Sequence, residues 1–321
     1  MTTETLLVAI AALGATAITG PACIAIARRW DVMDRPGQLK AHETPVPYLG
    51  GIAVFTGLTI GVCVGRPIAL VPLAVALALG VSDDRFDLPA PARLVAQLGI
   101  GAVIAVTQPV HLPAWIGVPL VMAVTVVLIN GFNFLDGLDM LAAGVGAAAG
   151  FGFACILSGP GRLAAGALVG TLVAFLLYNR PPARIYLGDG GSYLIGASMA
   201  VLLTYAWGVG VPPAMGVLAL ALLVVPVTEV ACAVVRRRRA GRSLLAGDRS
   251  HPYDLLVARG WTRTTASASY IAVEVAVAIV VVVGRHGTMA AAIGIDLAVT
   301  VVTLGGAALV GGLHDPAETG A

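Results

Sequence analysis

Eleven apolar segments, most of them close to the length that crosses a lipid bilayer, dominate this sequence. A helix needs about 20 predominantly apolar residues to cross the hydrocarbon core. The segments cover residues 5–27, 49–65, 67–82, 92–109, 115–131, 138–157, 162–179, 188–207, 213–235, 266–284 and 288–312. They predict an all-α fold, a polytopic membrane helix bundle of about eleven transmembrane helices, with ten as the alternative count.

The composition excludes an ordinary soluble globular protein. Hydrophobic residues make up 58% of the chain and charged residues 11%, with a mean hydropathy of +0.94, whereas soluble domains carry about 25% charged residues. The 4 cysteines all lie inside apolar segments, so neither a disulfide framework nor a cysteine metal site is expected. We see no internal repeat or low-complexity linker, and therefore predict a single integral membrane domain over 1–321.

The basic residues predict the orientation of the bundle. No basic residue precedes the first segment and Arg28-Arg29 follow it, which predicts a retained first helix with its N-terminus outside. Alternate loops then hold sixteen of the 19 basic residues, the exceptions being Arg66, Arg162 and Arg285. By the positive-inside rule these loops are cytoplasmic. We expect a multi-pass protein of the cell membrane whose longest cytoplasmic loop spans 236–265.

Carboxylates concentrate on the same predicted face, which orientation alone does not require, because acidic residues contribute little to topology. The stretch LINGFNFLDGLDML (128–141) places Asn130, Asn133, Asp136 and Asp139 at every third residue. On a continuous helix these four would spread over about half the circumference. The neighbouring glycines make a helix end equally compatible with the pattern. Ionisable groups at such depth are costly unless they are paired or functional, so we predict a site at the cytoplasmic face.

Two further stretches carry acidic residues typical of a divalent cation site. GVSDDRFDL (80–88) has the adjacent carboxylates Asp83 and Asp84, and RIYLGDGGSYLIG (184–196) has Asp189 between glycines before an apolar helix. Adjacent carboxylates repel unless they share a cation or a proton, and oxygen ligands favour Mg²⁺ or Mn²⁺. A helix start offers N–H groups to phosphate oxygens. The alternative for both stretches is an acidic cap in a loop.

Two loops add basic and imidazole groups. DRPGQLKAHETPVPYLGG (34–51) contains Lys40, the only lysine of the chain, and His42. An ammonium suits point-charge contact with phosphate. The last loop has the arginine run 236–239, which we interpret as an orientation signal and lipid contact, followed by His251 in a polar turn. Glu229, Glu274 and Asp296 are interpreted as structural groups of the last helices.

Together these stretches resemble one family, the polyprenyl-phosphate N-acetylhexosamine-1-phosphate transferases of the MraY, WecA and TagO type. KAHETPVPYLGG is similar to the family's first cytoplasmic motif and DDRFDL to its aspartate-rich motif. NGFNFLDGLDMLA resembles the Asn-x-x-Asn-x-x-Asp-Gly-x-Asp-Gly signature and YLGDGGSYLIG the Gly-Asp-x-Gly-Ser signature. The resemblance runs in the family's motif order from about Asp34 to Gly260.

The resemblance implies a reaction and a set of roles. Such enzymes transfer a sugar 1-phosphate from a UDP-sugar to a membrane polyprenyl phosphate, undecaprenyl or decaprenyl, and release UMP. By resemblance Asp189 would bind Mg²⁺, with Mn²⁺ as a substitute, and the catalytic groups would be Asp83, Asp84 and Lys40. The nucleotide-sugar would be held by the remaining motif residues: Asn130, Asn133, Asp136, Asp139, His251 and His42. The expected partners are these two substrates and membrane lipids, with no nucleic acid, and a homodimer is in keeping with the family.

The sequence departs from the family pattern at three places. Met140 stands at the second glycine of the Asp-Gly-x-Asp-Gly signature, and Tyr48-Leu49 replace the arginine that WecA-like members have before Gly-Gly. The His-x-His-His motif is His251-Pro252-Tyr253-Asp254, so only His251 carries over. PVPYLGG and DRSH are closer to the WecA/TagO branch than to MraY.

These features order the candidate functions. UDP-N-acetylglucosamine is the first choice of donor, and UDP-N-acetylmuramoyl-pentapeptide or another UDP-N-acetylhexosamine the alternatives. A catalytically inactive paralogue that binds nucleotide-sugar or lipid is the rival outside enzymes. A secondary transporter should carry its acids near the bilayer midplane and often shows inverted repeats, neither of which is seen here.

Overall fold

A computed structural model of the chain describes residues 2–35, 44–108, 110–245 and 250–314. Within these residues nearly all regular structure is helical, and thirteen α-helices follow one another along the chain. Their bounds are α1 Thr3–Arg29, α2 Gly50–Gly65, α3 Leu70–Phe86, α4 Ala90–Thr107, α5 Ala114–Leu135, α6 Leu141–Ile156, α7 Gly159–Asn179, α8 Gly188–Ala206, α9 Pro213–Ala221, α10 Val224–Arg239, α11 Pro252–Ala258, α12 Arg263–Gly284 and α13 Met289–Leu309. A 3-10 turn, Pro67–Ala69, leads into α3.

The predicted all-α membrane fold is confirmed, and each of the eleven apolar segments forms helix. Seven helices in the described part of the chain are long and apolar enough to cross a membrane, or eight when α9 and α10 count as one bent span. Two of the others, α2 and α6, have 16 residues, which is short of the usual crossing length. Eleven separate crossings, and the orientation derived from them, therefore stay predictions.

The ninth apolar segment is not one straight helix. α9 and α10 meet at an angle of 62°, and Leu223 between them has a non-helical backbone, with φ −118° and ψ 6°. Pro226 explains the break, because a proline inside a helix removes one backbone hydrogen bond and clashes with the preceding turn.

The described part of the predicted loop 236–265 contains more helix than expected. α10 continues through the arginine run to Arg239, and α11 forms within the loop. Arg236 is buried and donates from Nη1 to the carbonyl of Gly312 at 2.9 Å, while Arg239 donates to that of Leu313 at 3.1 Å. The side chains of this run therefore fasten α10 to the residues that follow α13.

Helix α8 forms the centre of the bundle. It packs against α2, α3, α5 and α7, and its side chains are buried from Gly190 to Thr204. Small residues make this packing possible: a β-carbon added at Gly196 would fall on the backbone of Ile129 in α5. Close approach through small residues is the usual way in which helices associate in a membrane.

The hairpin between α1 and α2 is tied to the start of α8. Its two-residue strands, β1 (Met33–Asp34) and β2 (Val46–Pro47), pair antiparallel. The N–H of Tyr186 donates to the carbonyl of Pro47 at 2.7 Å, and that of Gly50 donates to the carbonyl of Tyr186 at 3.0 Å. Lys40 and His42, which lie between β1 and β2 along the sequence, are outside the described residues.

Contact between α3 and α8 depends on Gly80. A β-carbon there would fall on the backbone of Asp189 and Gly190, which cannot move aside without displacing the whole helix. We therefore expect Gly80→Ala to lower the free energy of unfolding by about 1–3 kcal/mol, as overpacking does in a filled core. Unfolding of the purified protein in detergent measures the change.

Gly99→Ala is the matched control, because Gly99 is also helical and a β-carbon there would meet nothing within 4 Å. That substitution should stabilise by about 0.5–1 kcal/mol through helix propensity alone. Equal responses of the two variants would contradict the close packing of α3 on α8.

Candidate active site

A cavity of about 1190 Å³ opens at the end of the bundle where the predicted site residues meet. Its walls come mainly from α4, α5, α8, α10 and α11, with single residues from the ends of α3, α7 and α12 and further residues from the loops beside them. Seven of the predicted residues line it: Asp84, Asn130, Asn133, Asp136, Asp139, Asp189 and His251. Four separate stretches of sequence are therefore brought to one place.

The first two residues of the three-residue repeat lie on α5 and face different neighbours. The side-chain amide of Asn130 donates to Oε1 of Gln97 in α4 at 2.7 Å. The amide of Asn133 donates to Oδ1 of Asp189 in α8 at 2.6 Å. Each step of three residues turns a helix by about 60°, which is why the two amides reach two different helices.

The last two residues of the repeat lie where α5 ends. Asp136 is its C-cap, and Asp139 accepts a hydrogen bond at Oδ2 from the backbone N–H of Ala183 at 3.1 Å. Met140 follows in the left-handed region with φ +62°, and its N–H donates to Oδ1 of Asn179 at 2.8 Å. This turn lets the chain reverse into α6, and it explains why a glycine suits this position of the signature.

Asp136 shows how strongly negative the cavity is. Burial raises the pKa of its carboxyl well above the usual range, and the nearby carboxylates of Asp189, Asp84 and Asp139 raise it further. Without a cation the acids of this cavity oppose one another's ionisation. A positively charged ligand would relieve that opposition.

Asp84 caps helix α8. Its carboxylate accepts hydrogen bonds from the N–H groups of Asp189 at 2.9 Å and of Gly190 at 3.2 Å. Two of the N–H groups that the helix start was expected to offer to a phosphate are therefore already bonded to a carboxylate from α3. Such a bond satisfies donors that a helix start leaves open and complements its dipole.

Asp83 lies just behind the cavity wall and is 4% exposed. Its Oδ2 accepts hydrogen bonds from Arg93 Nη1 at 3.0 Å and from the Tyr193 hydroxyl at 2.6 Å, and its Oδ1 accepts one from the N–H of Leu88 at 3.0 Å. Arg93 and Tyr193 themselves line the cavity. In this arrangement Asp83 holds the guanidinium of Arg93 at the wall, and its catalytic role, implied by the resemblance, stays a prediction.

Arg93 and Arg237 are cavity residues that the sequence reasoning missed. Arg237 lies over the ring of Phe134 at 5.4 Å and donates from Nη1 to the carbonyl of Leu244 at 2.7 Å. The interpretation of the arginine run as an orientation signal overlooked its helical periodicity. On a helix Arg236 and Arg239 share a face whereas Arg237 points elsewhere, and that spacing was the available signal.

The altered histidine motif builds one wall. His251 is the N-cap of α11, and its backbone N–H donates to Asp254 Oδ2 at 3.2 Å. The ring of Tyr253 stacks on that of His251 with centroids 5.4 Å apart and planes 5° apart, and its hydroxyl donates to the carbonyl of Phe134 at 2.7 Å. The two residues that replace histidines therefore position the loop.

The site suits Mg²⁺ when substrate phosphates supply part of its coordination. Among the residues that the structure describes, no group of three or more His, Cys, Asp or Glu side chains is arranged to hold a metal ion alone. Mg²⁺ usually binds through one or two carboxylates together with phosphate oxygens and water. Asp189, with its Oδ1 already oriented by Asn133, fits such a minimal protein contribution.

The fold and the cavity define a class: a multi-pass membrane protein with an acidic, amide-rich site at one end of its helices. Residues 67–206 match the family model described as glycosyl transferase family 4. The decaprenyl-phosphate N-acetylglucosaminephosphotransferase of Mycobacterium tuberculosis is 30% identical over 294 residues, which cover 75% of this chain and 72% of that protein.

Two further relatives agree. The probable undecaprenyl-phosphate N-acetylglucosaminyl 1-phosphate transferase of Bacillus subtilis is 29% identical over 259 residues, covering 73% of this chain and 72% of its own. The undecaprenyl-phosphate alpha-N-acetylglucosaminyl 1-phosphate transferase of Escherichia coli K12 is 26% identical over 286 residues, covering 81% and 77%. The chain belongs to glycosyl transferase family 4, which confirms the resemblance drawn from its motifs.

Tyr193→Phe tests the hydrogen bond from the Tyr193 hydroxyl to the buried carboxylate of Asp83. The change removes a hydroxyl that donates to a buried carboxylate, so the free energy of unfolding should fall by about 1.5–3 kcal/mol. Tyr205→Phe, in the same helix, is the control, because the Tyr205 hydroxyl makes no hydrogen bond within the described residues. Unfolding in detergent compares the two, and an equal loss would argue against the contact.

Proposed function

We propose that this protein transfers N-acetylglucosamine 1-phosphate from UDP-N-acetylglucosamine to a membrane polyprenyl phosphate, releasing UMP. The observation that carries the proposal is the meeting of four separate motif stretches in one cavity. The names of the related transferases support both the sugar and the lipid class. They favour N-acetylglucosamine over the muramoyl-pentapeptide donor.

The reaction is a direct displacement at phosphorus. An oxygen of the lipid phosphate attacks the β-phosphorus of the UDP-sugar, a new P–O bond forms, and the bond to UMP breaks with its electron pair leaving on UMP. A phosphate monoester has a second pKa of about 6, so the lipid phosphate is largely ionised near neutral pH. Because the nucleophile needs little activation, catalysis depends mainly on positioning and charge neutralisation.

Mg²⁺, with Mn²⁺ as a substitute, is the proposed cofactor and Asp189 its ligand. When bound, it would neutralise oxygens of the nucleotide diphosphate. Asn133 orients the Asp189 carboxylate, and Asp84 fixes the backbone beneath it. The raised pKa of Asp136 is a second reason to expect a cation here, since a cation would favour the ionised acid.

The remaining residues supply binding groups. Asn130, Asp136 and Asp139 line the cavity together with His251, and this space is assigned to the nucleotide-sugar. Arg93, held by Asp83, brings positive charge to the cavity wall. The proposed phosphate contact of Lys40 and the substrate contact of His42 rest on the sequence alone.

The cavity is assigned to the cytoplasmic face of the cell membrane. The positive-inside distribution supports this orientation, and so does the chemistry, because a UDP-sugar is a soluble, charged donor whereas the acceptor is confined to lipid. A site at one end of the helices allows both substrates to reach it. A homodimer stays an expectation from the family.

The test measures UMP release by the purified protein in detergent, with undecaprenyl or decaprenyl phosphate, Mg²⁺ and a panel of UDP-sugars. We expect release with UDP-N-acetylglucosamine and its loss in the Asp189→Asn variant at every Mg²⁺ concentration. Asp296→Asn is the control, since Asp296 lies on α13 and is not among the residues that line the cavity.

Three outcomes separate the alternatives. Release with a different UDP-N-acetylhexosamine would replace the donor and keep the reaction class. Wild-type turnover in Asp189→Asn would remove Asp189 as the metal ligand. Folded protein that releases no UMP with any donor, yet binds UDP-sugar, would favour the inactive paralogue.

A further inference from the structure

A buried carboxylate behind the cavity contacts the histidine on its wall. Glu229, on α10, is 1% exposed and does not itself line the cavity. Its Oε2 lies 2.9 Å from Nδ1 of His251, and its Oε1 accepts a hydrogen bond from the Tyr270 hydroxyl of α12 at 2.8 Å. One carboxylate thus joins α10, the N-cap of α11, and α12.

Two aromatic rings contact the imidazole of His251 in addition to the carboxylate of Glu229. Tyr253 stacks on one face, and the ring of Phe134 lies 4.9 Å from the imidazole centroid at a tilt of 43°. The Tyr253 hydroxyl donates to the backbone carbonyl of Phe134, so the two neighbouring rings are joined to each other. These contacts fix the plane of the imidazole, and Glu229 fixes its rotation within that plane.

The geometry also selects where the ring carries its proton. An ionised carboxylate can only accept hydrogen bonds, so with Glu229 ionised the 2.9 Å contact between Oε2 and Nδ1 requires the proton on Nδ1 of His251. A histidine whose first nitrogen is fixed by such a bond presents its second nitrogen, Nε2, with a defined direction and protonation. His251 lies on the wall of the proposed substrate cavity.

We propose that Glu229 is a positioning residue, which keeps the proton of His251 on Nδ1 and directs Nε2 at the nucleotide-sugar. Glu229 does not touch the substrate and acts through the imidazole. This role matters more here because Tyr253 and Asp254 replace two histidines of the motif, which leaves His251 as its only imidazole. The role in turnover rests on the proposed transfer reaction, whereas the state of the imidazole does not.

Glu229→Gln tests the proposal, since it keeps the size of the side chain and removes the charge that selects Nδ1–H. We expect kcat/KM for UMP release to fall by about 10- to 100-fold, the usual effect of losing the partner that orients a functional histidine. Glu274→Gln is the matched control, because Glu274 is a fully buried glutamate on α12 whose oxygens find no hydrogen-bond partner among the residues that the structure describes. It should leave turnover unchanged.

A double variant distinguishes positioning from general support of the fold. If Glu229 acts through His251, Glu229→Gln should cause no further loss in protein that already carries His251→Ala. Tyr270→Phe, which leaves the bond to Nδ1 in place, should cost less than Glu229→Gln. Losses that multiply in the double variant would overturn the proposal, as would wild-type turnover in Glu229→Gln.

Nitrogen-15 NMR of histidine-labelled protein provides a readout that does not need activity. The chain has 5 histidines, and His251→Ala identifies the signal. We expect a proton on Nδ1 in the wild type and in Glu274→Gln, and a changed distribution in Glu229→Gln. An unprotonated Nδ1 in the wild type would overturn the inference, whereas absent UMP release with a protonated Nδ1 would overturn the proposed function alone.

Discussion

The carboxylate of Asp84 at the start of α8 is the contact on which the rest of the site depends. It accepts two backbone N–H groups from a helix that is buried on nearly every side. A helix start leaves backbone N–H groups without intrahelical partners, and a carboxylate there satisfies two of them and complements the helix dipole. Gly80 allows α3 to come close enough for the bond. The position of Asp189, and the amide of Asn133 that bonds to it, follow from this contact.

Much of the fold followed from the sequence because an apolar segment in a membrane has few structures open to it. The break at Leu223 was not predicted, because the apolar run is continuous there and only Pro226 marks it. The extension of α10 to Arg239 was missed because the helix continues beyond the end of the apolar run. Hydropathy indicates where a helix leaves the membrane, whereas hydrogen bonds to residues after α13 decide how far it continues.

The sequence predicted which residues form the site better than it predicted what each of them contacts. The motif residues whose structure is described gather at one cavity as expected, except that Asp83 lies behind its wall. Its hydroxyl partner, Tyr193, lies 110 residues away in sequence, a separation that no local pattern reveals. Glu229 was interpreted as a structural group because nothing in the sequence joins it to His251.

Met140 and Tyr253 are two departures from the family pattern with different physical meanings. A side chain at the left-handed φ of Met140 costs about 1–2 kcal/mol of conformational energy, which lowers the stability of the fold. Tyr253 instead changes what the cavity wall is made of, since an aromatic ring bonded to backbone stands where a titratable imidazole would be. A family signature thus contains two kinds of position: those that permit a turn and those that line the cavity. A substitution at the first kind of position changes folding stability, whereas one at the second kind changes the chemical groups that the cavity presents.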